Sequence, residues 1–439
     1  MLAGGRAMAR AAVSSAADDR VARLVAAGEH LRARPASEII DRLSAVCARW
    51  RDDRWSVRRA AIEALAVHYH VPRVSIVDVL DAAFSGWTGD SLESWVIGEL
   101  GDAGVLDGFV ANGSSSRIAV GPELVVAVAA HGVPTTPITD IMSALLVKAP
   151  VWLKPASGTD DLTARFAASI ADDDPELGAA IVVDAWPDLP GGREAVLGAA
   201  TTVIATGRED TVRRLRSSVN PATRVIVHGP RLSVALVTRE ALAANRGGVI
   251  DALAEDTAFA GQMGCLSPVS ALVEGSPDEL AALVEPLLRA CVDRWPAPPR
   301  RDASLSERVA FGEWRSLMDV ETSAGLASRW SGDLNASWTV VARGQTEPPS
   351  VPPVPRFLAL VPVDGMDHSI QLCDECKGLI ATVGVAARGQ RLGDIARRLS
   401  MAGVERISVL GAMQRPPLSW RRDGRPTLAD LVRWVELDR

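Results

Sequence analysis

The sequence predicts an α/β protein with a helical N-terminal region, a Rossmann-type nucleotide-binding domain and an α/β catalytic domain, and three observations support this. Apolar residues recur at three- and four-residue spacing over residues 19–110, which is the helical period. From about residue 117, short β-branched runs alternate with amphipathic stretches. Continuous apolar strands separated by helices are typical of a parallel sheet covered on both faces. The alternation resumes after residue 239, which predicts a second α/β unit there.

The N-terminal half begins with helices. The stretch MLAGGRAMARAAVSSAADDR lacks the apolar core of a signal peptide, so we expect a frayed or helical start. Further helices are predicted in DDRVARLVAAGEHLRAR, ASEIIDRLSAVCARW, WSVRRAAIEALAVHYH, VSIVDVLDAAFSGW and SLESWVIGELGD. The strands that follow are predicted in RIAVGPELVVAVAA, APVWLKPA, AAIVVDAW, TTVIATG and TRVIVHG. TPITDIMSALLVK, DDLTARFAASIA and REDTVRRLRSSV are expected to be the intervening helices.

The second unit is predicted to open with one long helix, REALAANRGGVIDALAEDTAFAG, and a strand, PVSALVEG. SPDELAALVEPLLRACVDRW is expected to be another helix. WPAPPRRD and GQTEPPSVPPVPR are proline-rich loops, because proline ends both helices and central strands. FLALVPV, a helix around HSIQLCDECKGL, and IATVGVA complete the α/β pattern.

Composition excludes several classes of function. A chain of 439 residues with 48% hydrophobic content can form two or three domains with substantial cores. A net charge of −7 argues against nucleic acid or an anionic membrane as the main partner. No apolar run reaches the roughly 18 residues that span a bilayer. Five cysteines do not make a disulfide framework in so long a chain, so a cytoplasmic location is expected.

Two strand-to-helix turns carry weak nucleotide signals. Lys154 ends a predicted strand and is followed by Pro155 and Ser157. A lysine at the carboxyl edge of a parallel strand can meet a phosphate or a ribose hydroxyl, although a solvated lysine is the alternative. Thr206 and Gly207 end another strand, and Arg208 follows. The sequence contains neither GxGxxG nor GxxxxGK[ST], so these turns indicate a nucleotide site only in combination.

The stretch DTAFAGQMGCLSP places Cys265 among small, flexible residues rather than inside a periodic apolar run. Glycines there allow backbone N–H groups to approach a ligand. The other cysteines, Cys47, Cys291, Cys373 and Cys376, are expected to be core or incidental. The CDEC spacing would suit zinc, but neither a second cysteine pair nor a histidine pair accompanies it.

These blocks together resemble the aldehyde dehydrogenase superfamily. Within it, the sequence is most similar to the acyl-CoA and acyl-protein thioester reductases, such as the fatty acid reductase of bacterial bioluminescence. The resemblance runs from roughly residue 35 to the end. Its most specific parts are GQMGCLSP and VIVHGPRLS, supported by HGVPTTPITDIMSALLVKAPVWLKPAS and by GAMQRPPLSWRRDGRPTLADLVRWVEL.

The resemblance implies roles for individual residues. Cys265 falls on the family's nucleophile, whose thiolate attacks an acyl thioester and forms an acyl-enzyme. Its backbone N–H would then face the developing oxyanion. Lys154 falls on the lysine that contacts the adenosine ribose. Ser157 stands where NAD-preferring relatives often have a glutamate, which leaves room for a 2′-phosphate and predicts NADPH as the cofactor. Arg208 could add a second positive charge, although a solvated arginine is the commoner alternative.

Two departures from the family pattern qualify these roles. The family's oxyanion asparagine is replaced by Gly132, preceded by His131. His131 either supplies an N–H to the oxyanion or is a buried histidine with a backbone partner. The general-base glutamate of oxidising relatives is also missing, because Val227 and His228 stand there. Without a base to activate water, the acyl-enzyme is not hydrolysed and survives for transfer to or from a thiol, which favours a reductase over an aldehyde oxidase. His228 is either an acid–base group or structural.

The sequence therefore predicts an NADPH-dependent reductase of an acyl thioester, on CoA or a carrier protein, that forms an aldehyde. A nucleotide-binding domain is expected over residues 1–240, completed by 412–439, and a catalytic domain over 241–411. The active site is expected in the cleft between them, at carboxyl ends of parallel strands. The alternatives are a CoA-acylating aldehyde dehydrogenase that works oxidatively and an impaired carrier- or synthetase-binding subunit. Formation of a homo-oligomer and an acyl-transfer or synthetase partner are left open.

Overall fold

The computed structural model of the protein describes residues 2–156, 161–186, 192–302, 304–332, 335–352 and 354–438. The chain divides into two compact units. The first comprises the residues up to Ala64, Leu80–Gly229 and the residues from Pro417 onward. The second comprises Leu65–Val79 and Pro230–Pro416. The division thus falls at 229/230 rather than at 240, because the strand that begins at Leu232 pairs within the sheet of the second unit.

The helices of the described residues follow in chain order. They are α1 (Leu2–Ala33), α2 (Ala36–Arg51), α3 (Ser56–Tyr69), α4 (Arg73–Phe84), α5 (Gly89–Leu100), α6 (Thr136–Leu146), α7 (Asp161–Asp173), α8 (Pro175–Ala179), α9 (Gly192–Ala199), α10 (Glu209–Arg216), α11 (Arg239–Ala258), α12 (Pro277–Ala281), α13 (Val284–Arg294), α14 (Leu305–Ser323), α15 (Met366–Glu375) and α16 (Gln390–Met401). Short 3₁₀ turns cover Ala103–Leu106, Phe259–Gln262, Arg300–Asp302 and Arg422–Gly424.

The strands of the same residues form three sheets. They are β1 (Val110–Asn112), β2 (Ser115–Val120), β3 (Val125–Val128), β4 (Val151–Lys154), β5 (Ile181–Val183), β6 (Thr202–Thr206), β7 (Arg224–His228), β8 (Leu232–Val237), β9 (Pro268–Glu274), β10 (Ala327–Ser331), β11 (Thr339–Arg343), β12 (Phe357–Val363), β13 (Ile380–Ala386), β14 (Arg406–Val409) and β15 (Arg433–Asp438).

The main sheet of the first unit has the order β5-β4-β3-β6-β7, and all its pairings are parallel. The chain enters at β3, adds β4 and β5 on one side, and then adds β6 and β7 on the other. The strand order therefore reverses beside β3, which is where open α/β sheets bind ligands at their carboxyl ends. Buried side chains of the sheet, including Val126 and Trp152, pack against Leu24 of α1 and Leu197 of α9.

A smaller antiparallel sheet, β1-β2-β15, belongs to the same unit. The run RIAVGPELVVAVAA, expected as a single β segment, is divided between this sheet and the main one. Gly121 lies in the break, where an added Cβ would come within 2.0 Å of the Val147 carbonyl oxygen. A residue with a side chain would therefore prevent this close approach of the two chain segments.

The sheet of the second unit has the order β10-β11-β12-β9-β8-β13-β14. The pairings are parallel except for β10, which runs antiparallel to β11 at one edge. Every residue of β8, β9 and β12 is buried. This explains why their sequences are continuous apolar runs rather than alternating ones.

Two predicted helices of the second unit are interrupted. Asn245 leaves helical geometry inside α11, with φ −156° and ψ 75°, and its Oδ1 accepts from the Gly248 N–H at 2.9 Å. An asparagine side chain can cap a new helical turn in this way. The stretch 276–295 forms α12 and α13 instead of one helix, because Pro286 lacks the N–H that an uninterrupted helix needs. Within the described residues, no helix combines the length and apolar character needed to cross a bilayer.

Candidate active site

Cys265 lies in the turn that leads into β9, at the amino end of that strand. The expectation that the site lies at carboxyl ends of strands is therefore wrong for Cys265. The side chain is exposed to solvent, whereas Cys47, Cys291, Cys373 and Cys376 are buried. Burial raises the pKa of Cys47, Cys291 and Cys373 to about 12. These buried thiols are therefore poor nucleophiles at neutral pH, and Cys265 is the accessible one.

The chain before Cys265 is bent into an unusual shape. Ala260, Gly261 and Gln262 all have positive φ, at 48°, 64° and 63°. Residues with side chains adopt this left-handed region at an energetic cost. At Gly261 a Cβ would lie 2.7 Å from Nε1 of Trp295, so glycine is required there. Gly261, which was expected only to let backbone N–H groups approach a ligand, therefore has a packing function, and the expected approach to a ligand stays a prediction.

Gln262 holds this bent segment against the sheet. Its Nε2 donates to the carbonyl oxygens of Pro268 at 3.0 Å and Phe357 at 2.6 Å. Its Oε1 accepts from the Phe357 N–H at 2.7 Å. Pro268 and Phe357 are the first residues of β9 and β12, so one side chain connects two neighbouring strand ends to the cysteine turn. Sequence reasoning missed this role, because an isolated glutamine gives no local pattern.

A second set of contacts supports the turn from the other side. Ser233 of β8 is fully buried and donates its hydroxyl to the Cys265 carbonyl oxygen at 2.6 Å. Gln414 Nε2 donates to the carbonyl oxygen of Asp256 at 2.7 Å and to Ser267 Oγ at 3.4 Å. The Asp256 carboxylate accepts from the N–H groups of Gly411 and Met413 at 2.5 and 2.9 Å. The backbone at Cys265 is therefore held by residues from several elements of its unit.

The predicted nucleotide residues of the first unit lie at the ends of β4 and β6, the two strands that flank β3, and at the same level of the sheet. Lys154 ends β4 opposite Val128 of β3, and Val128 pairs in turn with Ala205 of β6. Lys154 is half-buried, and Pro155 is buried beside it. Thr206 follows Ala205, so with strands about 4.8 Å apart the two turns lie roughly 10 Å from each other. The structure therefore brings the two weak sequence signals to the same edge of one sheet.

The turn after β6 contains a glycine, Gly207, in a backbone conformation that favours glycine, as the sequence suggested. Gly207 has φ +154°, which L-residues rarely adopt, and its N–H donates to the His228 carbonyl oxygen at 3.1 Å. Arg208 follows with 85% of its side chain exposed and lies 3.8 Å from Asp210 Oδ1. Ser157 lies outside the residues that the structure describes. A half-buried lysine and a glycine turn at a strand-order reversal fit a nucleotide with its phosphates.

His131 and Gly132 lie in the bend between β3 and α6. His131 is exposed, so the alternative of a buried structural histidine is wrong. Gly132 is half-buried. Because β3 is the central strand at the order reversal, this bend belongs to the same edge as Lys154 and Gly207. The role of either residue toward an oxyanion stays a prediction.

The structure also reveals a pair that the sequence did not indicate. His228 ends β7, and its Nδ1 lies 2.6 Å from Oδ2 of Asp423. The two residues are 195 positions apart in the chain. Among the predicted site residues, Cys265 belongs to the second unit, while His131, Gly132, Lys154, Pro155 and the turn 206–208 belong to the first.

The chain was compared with known proteins. The family model described as acyl-CoA reductase (LuxC) matches residues 31–434. No curated protein matches. Among solved structures, an NADP-dependent glyceraldehyde-3-phosphate dehydrogenase from Bacillus halodurans is 15% identical with a TM-score of 0.69, covering 97% of this chain and 91% of the other. An NAD-dependent benzaldehyde dehydrogenase from Corynebacterium glutamicum is 14% identical with a TM-score of 0.65, covering 97% and 90%.

A bifunctional proline utilization A protein is also similar, at 15% identity and a TM-score of 0.71. The alignment covers 97% of this chain but 44% of that longer one. Identities this low establish the fold alone. The predicted aldehyde dehydrogenase-like α/β fold is confirmed by these structures, and the family resemblance read from the sequence is confirmed by the family model.

Proposed function

The chain belongs to the LuxC family of acyl-CoA reductases, and from that premise we propose that it reduces an acyl thioester to an aldehyde with NADPH. The observation that carries the proposal is the exposed Cys265 at the end of a backbone turn held by side chains of its own unit. Exposure keeps the thiol accessible, and the fixed backbone orients it. Both are properties of a nucleophile rather than of a core residue.

The chemistry at Cys265 proceeds in two stages. The thiolate attacks the thioester carbonyl, forms an S-acyl bond and expels the thiol of CoA or of a carrier protein. The acyl-enzyme is again a thioester, so little energy is lost and the carbonyl stays electrophilic. NADPH supplies a hydride to this acyl carbon when it is bound. Collapse of the resulting hemithioacetal breaks the carbon–sulfur bond, releases the aldehyde and returns Cys265.

Residues of the first unit support the choice of nicotinamide cofactor. Lys154, Pro155, Ser157 and the turn Thr206–Gly207–Arg208 would hold it at the carboxyl edge of the main sheet. Lys154 would bind the adenosine ribose and its 2′-phosphate, since an ammonium group attracts a phosphate. We place the reaction in the cytoplasm, where thiols remain reduced.

The test is a panel of acyl-CoAs of increasing chain length, incubated with the protein and NADPH while nicotinamide absorbance is followed. We expect consumption of NADPH that depends on the acyl-CoA, together with aldehyde that a hydrazine reagent traps. Formation of NADPH from NADP⁺, CoA and an aldehyde, without NADPH consumption by any acyl-CoA, would support the acylating oxidation instead. No turnover and no acyl adduct with any donor would support the impaired subunit.

A further inference from the structure

Helix α14 packs one side on the core of the second unit and leaves an apolar stripe on its other side. Phe311 and Trp314 belong to the buried core cluster. On the solvent side, Leu305, Val309 and Val320 are 69%, 50% and 65% exposed. Single exposed apolar residues are ordinary, whereas several on one helix mark a surface that another molecule covers. The reaction proposed above makes no use of this helix.

The stripe runs along nearly the whole helix. It consists of Leu305, Val309, Gly312, Ser316 and Val320, which we call the α14 stripe. With 3.6 residues per turn, these five positions lie within about 80° of one another around the helix axis. Its middle is formed by the two smallest side chains, and a Cβ added at Gly312 would meet nothing within 4 Å. The stripe is therefore open at its centre, which allows a second helix to approach closely.

Two charged residues lie beside the α14 stripe, on the same flank. Arg308 and Asp319 are both exposed, and the 11 positions between them correspond to about three helical turns. They therefore point in nearly the same direction but lie about 16 Å apart along the axis, too far to pair with each other. Among the residues that the structure describes, neither side chain has an ion-pair or hydrogen-bond partner. Each charge is thus available to a group outside the chain.

The same separation relates Val309 to Val320 within the stripe. The first half of the helix thus presents a valine beside a positive charge, and the second half presents a valine beside a negative charge. When a second copy of the helix lies antiparallel, Val309 of each copy meets Val320 of the other. Arg308 of each copy then faces Asp319 of the other, because a two-fold axis repeats every contact. A parallel, in-register pair would instead place like charges opposite one another.

We propose that the α14 stripe is the contact surface of a homodimer, in which two copies of α14 pack antiparallel about a two-fold axis near position 314. The 19 residues of α14 form a helix about 28 Å long. One pair of such helices covers less than the roughly 800 Å² per partner of a standard interface. The dimer is therefore weak, with a dissociation constant on the order of micromolar. This inference concerns assembly and is independent of the reaction at Cys265.

The first experiment measures self-association by sedimentation velocity over the micromolar range. It compares wild type with Val309→Lys and with the control Met401→Lys, which alters an apolar residue of α16 that is 78% exposed. The unfolding temperature of each variant verifies that it is folded. We expect wild type and Met401→Lys to dimerise alike. Val309→Lys should weaken the dimer at least about tenfold, because a lysine must then be buried against an apolar side chain.

The second experiment reverses the charges. Arg308→Asp and Asp319→Arg each place like charges opposite one another in a homodimer, so each alone should weaken dimerisation about tenfold. An equimolar mixture of the two variants should associate like wild type, because each reversed charge then faces an opposite charge on the other variant. Since the two positions are too far apart to pair within one helix, such a rescue reports a contact between copies.

A wild type that stays monomeric over the whole range would overturn the proposal and leave a different protein as the occupant of the stripe. A dimer that Val309→Lys does not weaken would also overturn it, because the copies would then meet elsewhere. A mixture that associates no better than either charge variant alone would refute the antiparallel arrangement.

Discussion

Gln262 binds both backbone groups of Phe357, donating from Nε2 to the carbonyl oxygen at 2.6 Å and accepting at Oε1 from the N–H at 2.7 Å. Phe357 begins β12, and Gln262 lies three residues before Cys265. The Gln262 side chain therefore satisfies both backbone hydrogen-bonding groups of the first residue of a central strand. It connects that strand to the segment that carries the Cys265 thiol. This contact makes the position of Cys265 depend on an internal strand rather than on the turn alone.

Two replacements of Gln262 distinguish the contribution of its hydrogen bonds to stability from the cost of its left-handed backbone conformation. Gln262→Ala should lower the free energy of unfolding by about 2–4 kcal/mol, because several part-buried hydrogen bonds are lost and alanine must keep φ near 63°. Gln262→Gly loses the same bonds without the conformational cost, so it should be more stable than the alanine variant by about 1 kcal/mol. Urea unfolding measures both, with the exposed Gln371→Ala as control. Equal stability of all variants would show that the contact contributes nothing.

Acylation should occur at Cys265 and at no other cysteine. After exposure to an acyl-CoA, Cys265→Ala should show no thioester adduct, while Cys373→Ala and Cys376→Ala should be acylated like wild type. The reason is accessibility, since Cys373 and Cys376 are buried and burial raises the pKa of both. Intact-protein mass spectrometry detects the adduct. A labelled Cys265→Ala protein would refute the assignment.

The cofactor preference should depend on Lys154 and Ser157. NADPH should bind at least about tenfold more tightly than NADH, because one charge-assisted contact to the 2′-phosphate contributes roughly 1.5–3 kcal/mol. Ser157→Glu should erase or reverse the preference by repelling that phosphate, and Lys154→Met should weaken NADPH more than NADH. Titration calorimetry gives the affinity of wild type and of both variants for each cofactor, six values in all. Equal affinities of wild type for both cofactors would contradict the prediction.

The bend at residues 131–132 should affect stabilisation of the oxyanion. If His131 supplies the donor, His131→Ala should lower turnover about 10²-fold, or about 2.7 kcal/mol, and Gly132→Asn should bring no gain. If the donor is simply missing, Gly132→Asn should raise turnover and His131→Ala should change little. Steady-state NADPH oxidation distinguishes the two. Unchanged rates in both variants would exclude this bend from oxyanion stabilisation.

Asp256 should make stability depend on pH. Burial raises its pKa from 3.8 to about 6, despite two backbone N–H donors. A raised acid pKa stabilises the folded state fully below about pH 4, and the contribution is lost as pH rises through 6. Relative to Asp256→Asn, which does not titrate, wild type should lose about 3 kcal/mol between these values. Urea unfolding at several pH values measures this, with exposed Asp251→Asn as control. If the unfolding free energies of wild type and Asp256→Asn changed equally with pH, the raised pKa of Asp256 would be contradicted.

Much of the architecture could be predicted from local sequence, because buried parallel strands are continuous apolar runs. β6, β7, β9 and β12 all begin and end close to the predicted segments. The sequence predicts no element over residues 305–323, yet they form α14, and a capping box of Ser304 with Glu307 marks its start. It likewise predicts no strand at β15, since the partner strand of β15 is distant in sequence.

The candidate site likewise contains residues that local sequence predicts and residues that only the fold reveals. Cys265, Lys154 and Gly207 could be identified because their neighbours form short patterns with a chemical meaning. The contacts of Gln262 with Phe357 and of His228 with Asp423 join residues 95 and 195 positions apart. No local pattern encodes such pairs, because each partner alone is an ordinary polar residue. Only the folded chain brings them into hydrogen-bond distance.

Pairing of β2 with β15 has a consequence for the biosynthesis of the protein. Register joins Ser115 to Asp438, so this small sheet closes across more than two thirds of the chain. Closing so long a loop is slow, and on the ribosome the second unit emerges before β15 is available. The small sheet of the first unit therefore stays incomplete, with β2 lacking one of its neighbours, until the segment that carries β15 has been translated. During that interval the exposed edge of β2 is a site where a chaperone would act and where nascent chains could pair wrongly.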